Sequence, residues 1–148
     1  ENDLADIAER GAFVARELGL EPRVAFLSLS TFGYPVSERA EKMHQAPRVL
    51  DARNADFEYE GEMTVDVALN VKAQENYPFQ RLTGPANVLV VPARHSASIS
   101  VKLMQEMAGA TVIGPILSGI GKPIQICSTV STVNDILNMA VIAACKVD

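Results

Sequence analysis

Ala86-Asn-Val-Leu-Val-Val91 is short, rich in β-branched residues and closed by Pro92, and it reads as a strand. Val88 to Val91 shows no alternation of polar and apolar side chains, so the strand is expected to be covered on both faces. Working outward, Ile99, Leu103, Met104 and Met107 recur at helical spacing and predict the inner stripe of a following helix. Thr111 to Leu117 and Pro123 to Cys127 read as two more apolar strands, with Gly114-Pro115 marking a bulge or a break in the first. Val133, Ile136, Leu137, Ala140, Val141 and Ala144 predict one face of a last helix.

Upstream, Leu4, Ile7, Ala8, Gly11, Val14, Ala15 and Leu18 predict a helix over residues 3–18 that stops at Gly19. Arg23 to Leu29 reads as a buried strand. Ser37 is a plausible N-cap for a helix reaching Arg53, with Pro47 as an irregularity inside it. Phe57 to Tyr59 predicts a short strand ended by Gly61-Glu62, and Thr64 to Asn70 a helix. Apolar strands separated by helices imply an α/β protein: three layers, α/β/α, around a mainly parallel sheet. In such sheets ligands bind beyond the carboxyl ends of the strands.

The 148 residues suit one domain, 48% hydrophobic and 21% charged. A net charge of −5 argues against nucleic acid as a partner. No apolar stretch is long enough for a membrane span, and no signal peptide is evident. Cys127 and Cys145 lie in apolar runs and are expected to be small buried hydrophobes in a reducing, cytoplasmic setting. The abrupt start in a helical pattern suggests a cut inside a longer protein.

Two loops after expected strands are rich in hydroxyls. Ser28-Leu29-Ser30-Thr31-Phe32-Gly33 is the first, and Ser128-Thr129-Val130-Ser131-Thr132 leads into the last helix. Such loops at helix N-termini can hold an anion, and equally can be plain turns and caps, with Ser131 or Thr132 capping the helix at Val133. No GxGxxG or GxxxxGK[ST] sequence is present, so a nucleotide cofactor in this segment lacks support. His44 and His95 stand without partners at metal-ligand spacing. His44 is expected to be solvated on a charged helix, and His95 follows a strand end.

These segments carry a resemblance. Ser28 to Gly33, the Gly61-Glu62-Met63 and Asp66-Val67-Ala68 segment, Gly84 to Pro92, Gly114 to Gly119, Lys122-Pro123 and Asn138-Met139-Ala140 follow the order seen in phosphate acetyl/butyryltransferases. The chain resembles the C-terminal half of such a domain over residues 1–148, with the upstream part absent. The resemblance implies the isocitrate/isopropylmalate dehydrogenase-like sheet of phosphotransacetylases, and assembly as a dimer or a multiple of dimers. Ile116, Ile120, Met139 and Ile142 are candidates for that interface, or simply for the monomer core.

One departure matters. Active transferases of this family carry Ser-Arg-Gly after the last strand and an Asp in the next helix. Here Ser128 and Asp135 match, but Thr129 and Val130 replace the Arg and Gly. The family chemistry is attack of the coenzyme A thiol on acetyl phosphate, with the Arg offsetting the phosphate charge, which a neutral Thr cannot do. This pattern, with Tyr77 to Arg81 and His95 to Ile99, resembles the module appended to large NADP-dependent malic enzymes. That resemblance implies an acetyl-CoA-sensing, oligomer-forming module, with NADP and a divalent metal on a separate upstream domain. The implied effector contacts are Ser28, Ser30, Thr31, Gly33, Ser128, Thr129, Ser131 and Asp135. A working phosphate acetyltransferase is the alternative.

Overall fold

In a computed structural model, residues 1–38 and 40–145 are described. The chain divides into two compact units, Glu1–Ser96 and Ala97–Asp148.

The first unit is built on a three-stranded parallel sheet with β1 (Arg23–Leu27) at its centre, between β2 (Glu58–Met63) and β3 (Val88–Val90). It opens with α1 (Asn2–Glu17), whose buried residues are alanines only: Ala5, Ala8, Ala12 and Ala15. This small-residue stripe lets the helix lie close to the sheet. At Gly11 a Cβ would sit 2.8 Å from Val88 Cγ1, so a larger residue there would have to displace the Val88 side chain. Gly19 then takes φ +77°, a left-handed position open to glycine at little cost, and ends the helix.

The central strand, β1 (Arg23–Leu27), sends Val24 and Phe26 to one face and Ala25 and Leu27 to the other. Both faces are covered, which explains its unbroken apolar run. Val24 and Phe26 pack with α1 and with Met43, Ala46 and Leu50 of α2 (Glu41–Arg53). Arg53 ties the two helices together through Asp6 at 2.6 Å and Glu9 at 2.9 Å.

Two boundaries differ from expectation here. The second helix begins at Glu41 after Ala40, with no side-chain cap, rather than at Ser37. Ser37 instead accepts the Ala40 N–H through its carbonyl, in a turn ahead of the helix. Arg39, inside the expected helix, lies outside the described residues. Pro47 is accommodated and buried within α2.

The next strand, β2 (Glu58–Met63), runs past the Gly61-Glu62 pair expected to end it. It pairs with β1 in parallel, Phe26 opposite Gly61 and Leu27 opposite Met63, so Glu62 is an extra residue in the register. Two short helices follow, α3 (Val65–Leu69) and α4 (Val71–Gln74), and then β3 (Val88–Val90). Val67 and Ala68 of α3, with Leu82 and Ala86, cover the face of the sheet that carries Ala25, Leu27 and Met63. The unit is thus layered helix, sheet, helix, and the α/β expectation is met.

The segment after β3 forms α5 (Arg94–Ala108), which crosses the unit boundary. In the second unit the last expected helix is present as α6 (Val133–Ala144). The two strands expected at 111–117 and 123–127 are not: neither segment pairs in a ladder among the described residues. Apolar runs fix a tendency to be covered, but a strand exists only with a neighbour. Gln125 instead ties these segments locally, its amide bonding both the N–H and the carbonyl of Leu117.

The apolar rows of α5 and α6 are also not buried as expected. Ile99, Leu103, Met104 and Met107 are exposed, as are Val133, Ile136, Leu137 and Val141. Met139, on another side of α6, is the buried residue of that helix. Cys127 and Cys145, expected to be buried, are both exposed free thiols for the same reason.

Candidate functional site

The first hydroxyl loop leaves the carboxyl end of β1, as expected for a ligand-bearing loop. Two of its polar groups, the Ser30 hydroxyl and the Gly33 N–H, converge on one side chain, Glu62, because the extra residue in the β2 register re-aims that position. Glu62 is fully buried. Its Oε1 accepts the Ser30 hydroxyl and the Gly33 backbone N–H, each at 2.8 Å, and its Oε2 lies 2.7 Å from His44 Nδ1. The Glu62 carbonyl accepts the Phe32 N–H at 2.8 Å. Burial alone pushes the carboxyl pKa up, but the bonds from Gly33, Ser30 and His44 outweigh it and hold it below the usual range.

Thr31 is likewise engaged. Its Oγ1 accepts the Thr64 N–H at 3.0 Å and pairs with Thr64 Oγ1 at 3.1 Å. Ser28 is half-buried, and its Oγ lies 3.5 Å from Ser30 Oγ. Of the first loop's residues, Ser30 and Thr31 are buried while Gly33 is exposed. Ser30, Gly33, His44 and Glu62 line a cavity of about 330 Å³.

His44 and Glu62 were not among the expected site residues; Glu62 entered only with the Gly61-Glu62-Met63 segment of the resemblance. His44, expected to be solvated, is half-buried against a carboxylate 18 residues away. Glu60, in the same strand as Glu62, is also buried and is met by the Arg81 backbone N–H at 3.0 Å and the Arg81 Nε at 3.2 Å. Arg81 also reaches Asp51 at 2.6 Å and stacks on Tyr59, its guanidinium carbon 4.7 Å from the ring centroid. Burial, with the bond to Asp51, pushes the Tyr59 hydroxyl up to about 12.

A second cluster borders the first loop. Phe32, held at φ +50°, stands in edge contact with Phe79 at 4.8 Å and tilted against Tyr77 at 5.3 Å.

In the second unit, the Ser128 Oγ accepts the Val130 N–H at 3.3 Å, and the Ser128 carbonyl accepts the Ser131 N–H at 3.1 Å. Thr132 caps α6, as one of the two expected caps. Its Oγ1 accepts the Asp135 N–H at 3.2 Å, and Asp135 Oδ2 accepts the Thr132 N–H at 2.8 Å, a reciprocal capping box. These bonds from Thr132 hold the Asp135 carboxyl below its ordinary value. Ser128 and Thr129 are exposed, and Ser131 and Asp135 half-buried. Among the described residues no group of three or more His, Cys, Asp or Glu could hold a metal ion. No helix among them is long and apolar enough to cross a membrane.

The NADP-dependent malic enzyme of Rhizobium meliloti (strain 1021) is 56% identical over 142 residues, 96% of this chain and 19% of that protein. The phosphate acetyltransferase of Bacillus subtilis (strain 168) is 33% identical over 97% of this chain and 45% of its own length. The solved EutD phosphotransacetylase from Staphylococcus aureus superposes with a TM-score of 0.88 at 31% identity, over 96% of this chain and 44% of that one. The chain therefore spans about a fifth of the malic enzyme it matches and under half of the acetyltransferases. The family model described as phosphate acetyl/butaryl transferase matches residues 1–144, and the chain belongs to that family.

Proposed function

We propose that the chain is a regulatory, oligomer-forming module of an NADP-dependent malic enzyme, the C-terminal half of a transferase-like domain that senses acetyl-CoA and no longer transfers acyl groups. The observation that carries this reading is Thr129, at the position where active transferases of the family place Arg. From Ser128 to Asn138 there is no Lys or Arg to offset a transferring phosphate. Asp135, at the position of the family's Asp, has its carboxylate engaged with the Thr132 N–H and held acidic, which makes it a weak base.

In this reading Ser128, Thr129 and Ser131 offer hydroxyls to the effector. Ser30, Thr31 and Gly33 shape the loop from within, and Asp135 fixes the start of α6. The exposed apolar row of α6, with Ile116, Ile120 and Ile142, supplies surface for assembly. Met139 is buried within the unit and contributes to its core instead. NADP and a divalent metal belong to a malic enzyme domain outside these residues, in a cytoplasmic protein with neither membrane nor nucleic acid as partner.

The test follows NADPH production from malate by the protein carrying this module during titration with acetyl-CoA. Wild type should be inhibited, while Ser128→Glu should turn over malate normally and lose the response, because the new carboxylate repels an anionic ligand. Equal responses would remove this loop from the effector site, and no response in either would remove the sensing role. The alternative, a working phosphate acetyltransferase, is favoured by the 33% identity to the Bacillus subtilis protein across nearly the whole chain. Exchange of acetyl groups between acetyl phosphate and coenzyme A would establish it.

A further inference from the structure

The cavity on the α2 side of the first loop carries chemistry that the acetyl-CoA reading does not use. We propose that it binds an uncharged ligand through a hydrogen-bond donor, an amide N–H or an alcohol O–H, presented to His44 Nε2.

The argument starts from Glu62. Its Oε1 takes the Ser30 hydroxyl and the Gly33 N–H, which leaves Oε2 for His44 Nδ1 at 2.7 Å. A carboxylate only accepts, so in the neutral imidazole the proton sits on Nδ1 and Nε2 keeps its lone pair. Buried Glu62 thus fixes both the tautomer and the ring, as the third member of a catalytic triad does for its histidine. Among the described residues Nε2 has one protein neighbour within reach, Arg48 Nη2 at 3.5 Å, a distance at which a hydrogen bond is weak. The other Arg48 amino group donates to Gln45 at 3.1 Å. His44 lines a cavity of about 330 Å³, large enough for a small organic molecule.

Charge and polarity narrow the ligand. Glu38, Glu41 and Glu62 line the cavity, with Arg48 beside His44 as the nearest described guanidinium. Among the described residues an anion such as phosphate would meet three carboxylates. Pro35, Val36 and Ala40 supply apolar wall. An uncharged body with one donor satisfies both wall and lone pair. The site does not depend on acetyl-CoA binding elsewhere on the protein.

In the ¹⁵N-histidine-labelled protein, the imidazole signal lost in His44→Gln is that of His44. In mildly alkaline buffer the ¹⁵N shifts should show the proton on Nδ1. N-methylacetamide or 2-propanol should then move the Nε2 signal saturably, and whichever does so identifies the donor as amide or alcohol. N,N-dimethylacetamide, of similar shape but without the donor, should bind about tenfold more weakly, the factor for one hydrogen bond. Inorganic phosphate should leave the signal unmoved. The proposal is overturned by a proton on Nε2, by no saturable shift with either donor, by equal affinity for N,N-dimethylacetamide, or by a response to phosphate alone.

Discussion

Glu62 accepts the Ser30 hydroxyl at 2.8 Å while neither side chain touches solvent. A hydrogen bond to a buried charge is worth more than one between neutral groups. Ser30→Ala should therefore cost about 1.5–3 kcal/mol in urea denaturation. A cost under ~0.5 kcal/mol, typical of a surface change, would show that the loop does not depend on this bond.

The same carboxylate sets a pH dependence. Its folded pKa lies below the ordinary 4.5, so the unfolded state binds the proton more readily. The stability it contributes is fully present above the ordinary value and is lost as pH falls through the depressed one. Glu62→Gln should flatten the acid limb of a stability–pH curve. Asp51, Asp66 and Asp135 are depressed as well and act with the same sign, so a residual slope should remain. An unchanged limb would place the acid sensitivity elsewhere.

Gly61 takes φ +147°, and a Cβ there would lie 2.8 Å from both the Cβ and the carbonyl oxygen of Phe26. Gly61→Ala should lose about 1–3 kcal/mol through backbone strain alone, with a steric cost added. Gly11→Ala meets only the Val88 side-chain methyl and should cost less. The order of the two thermal midpoints checks this, and the reverse order would contradict the geometry of the β1–β2 contact.

Removing the α6 cap should be a milder change. Thr132→Ala loses the hydroxyl that accepts the Asp135 N–H, at about 0.5–2 kcal/mol. Helix content by circular dichroism through thermal unfolding reports it. A wild-type curve would show that α6 is held by other contacts.

Acetyl phosphate and coenzyme A should show no measurable exchange on the intact protein, because Thr129 offers no charge to the phosphate. Robust turnover would return the module to the acyltransferases.

The architecture was legible where local pattern and tertiary setting agree. The apolar run of β1 and the helical spacing of α1 led to the α/β class, because a covered strand and a helix packed on it announce themselves along the chain, whereas Leu89 of β3 and the apolar row of α6 stay exposed. The Thr132 cap was legible for the same reason, its partner lying three residues away. What depended on distant partners was hidden. β2 carries Glu60 and Glu62, whose partners Arg81 and His44 lie on other segments of the chain. His44 looked solvated because the carboxylate it meets belongs to another element. The strands expected at 111–117 and 123–127 failed differently: hydrophobicity signalled covering, but pairing needs a neighbouring edge.

The uneven burial of the two units also bears on amide exchange with solvent deuterium. The amides of β1 lie between two paired strands and under two layers of side chains, so they open only with the whole first unit and should exchange last. Those of α5, with no buried residue, and of α6, anchored by Met139, can open by local fraying and should exchange first. If assembly covers these helices, their slowing with protein concentration would report it amide by amide, while the rates in β1 stayed fixed.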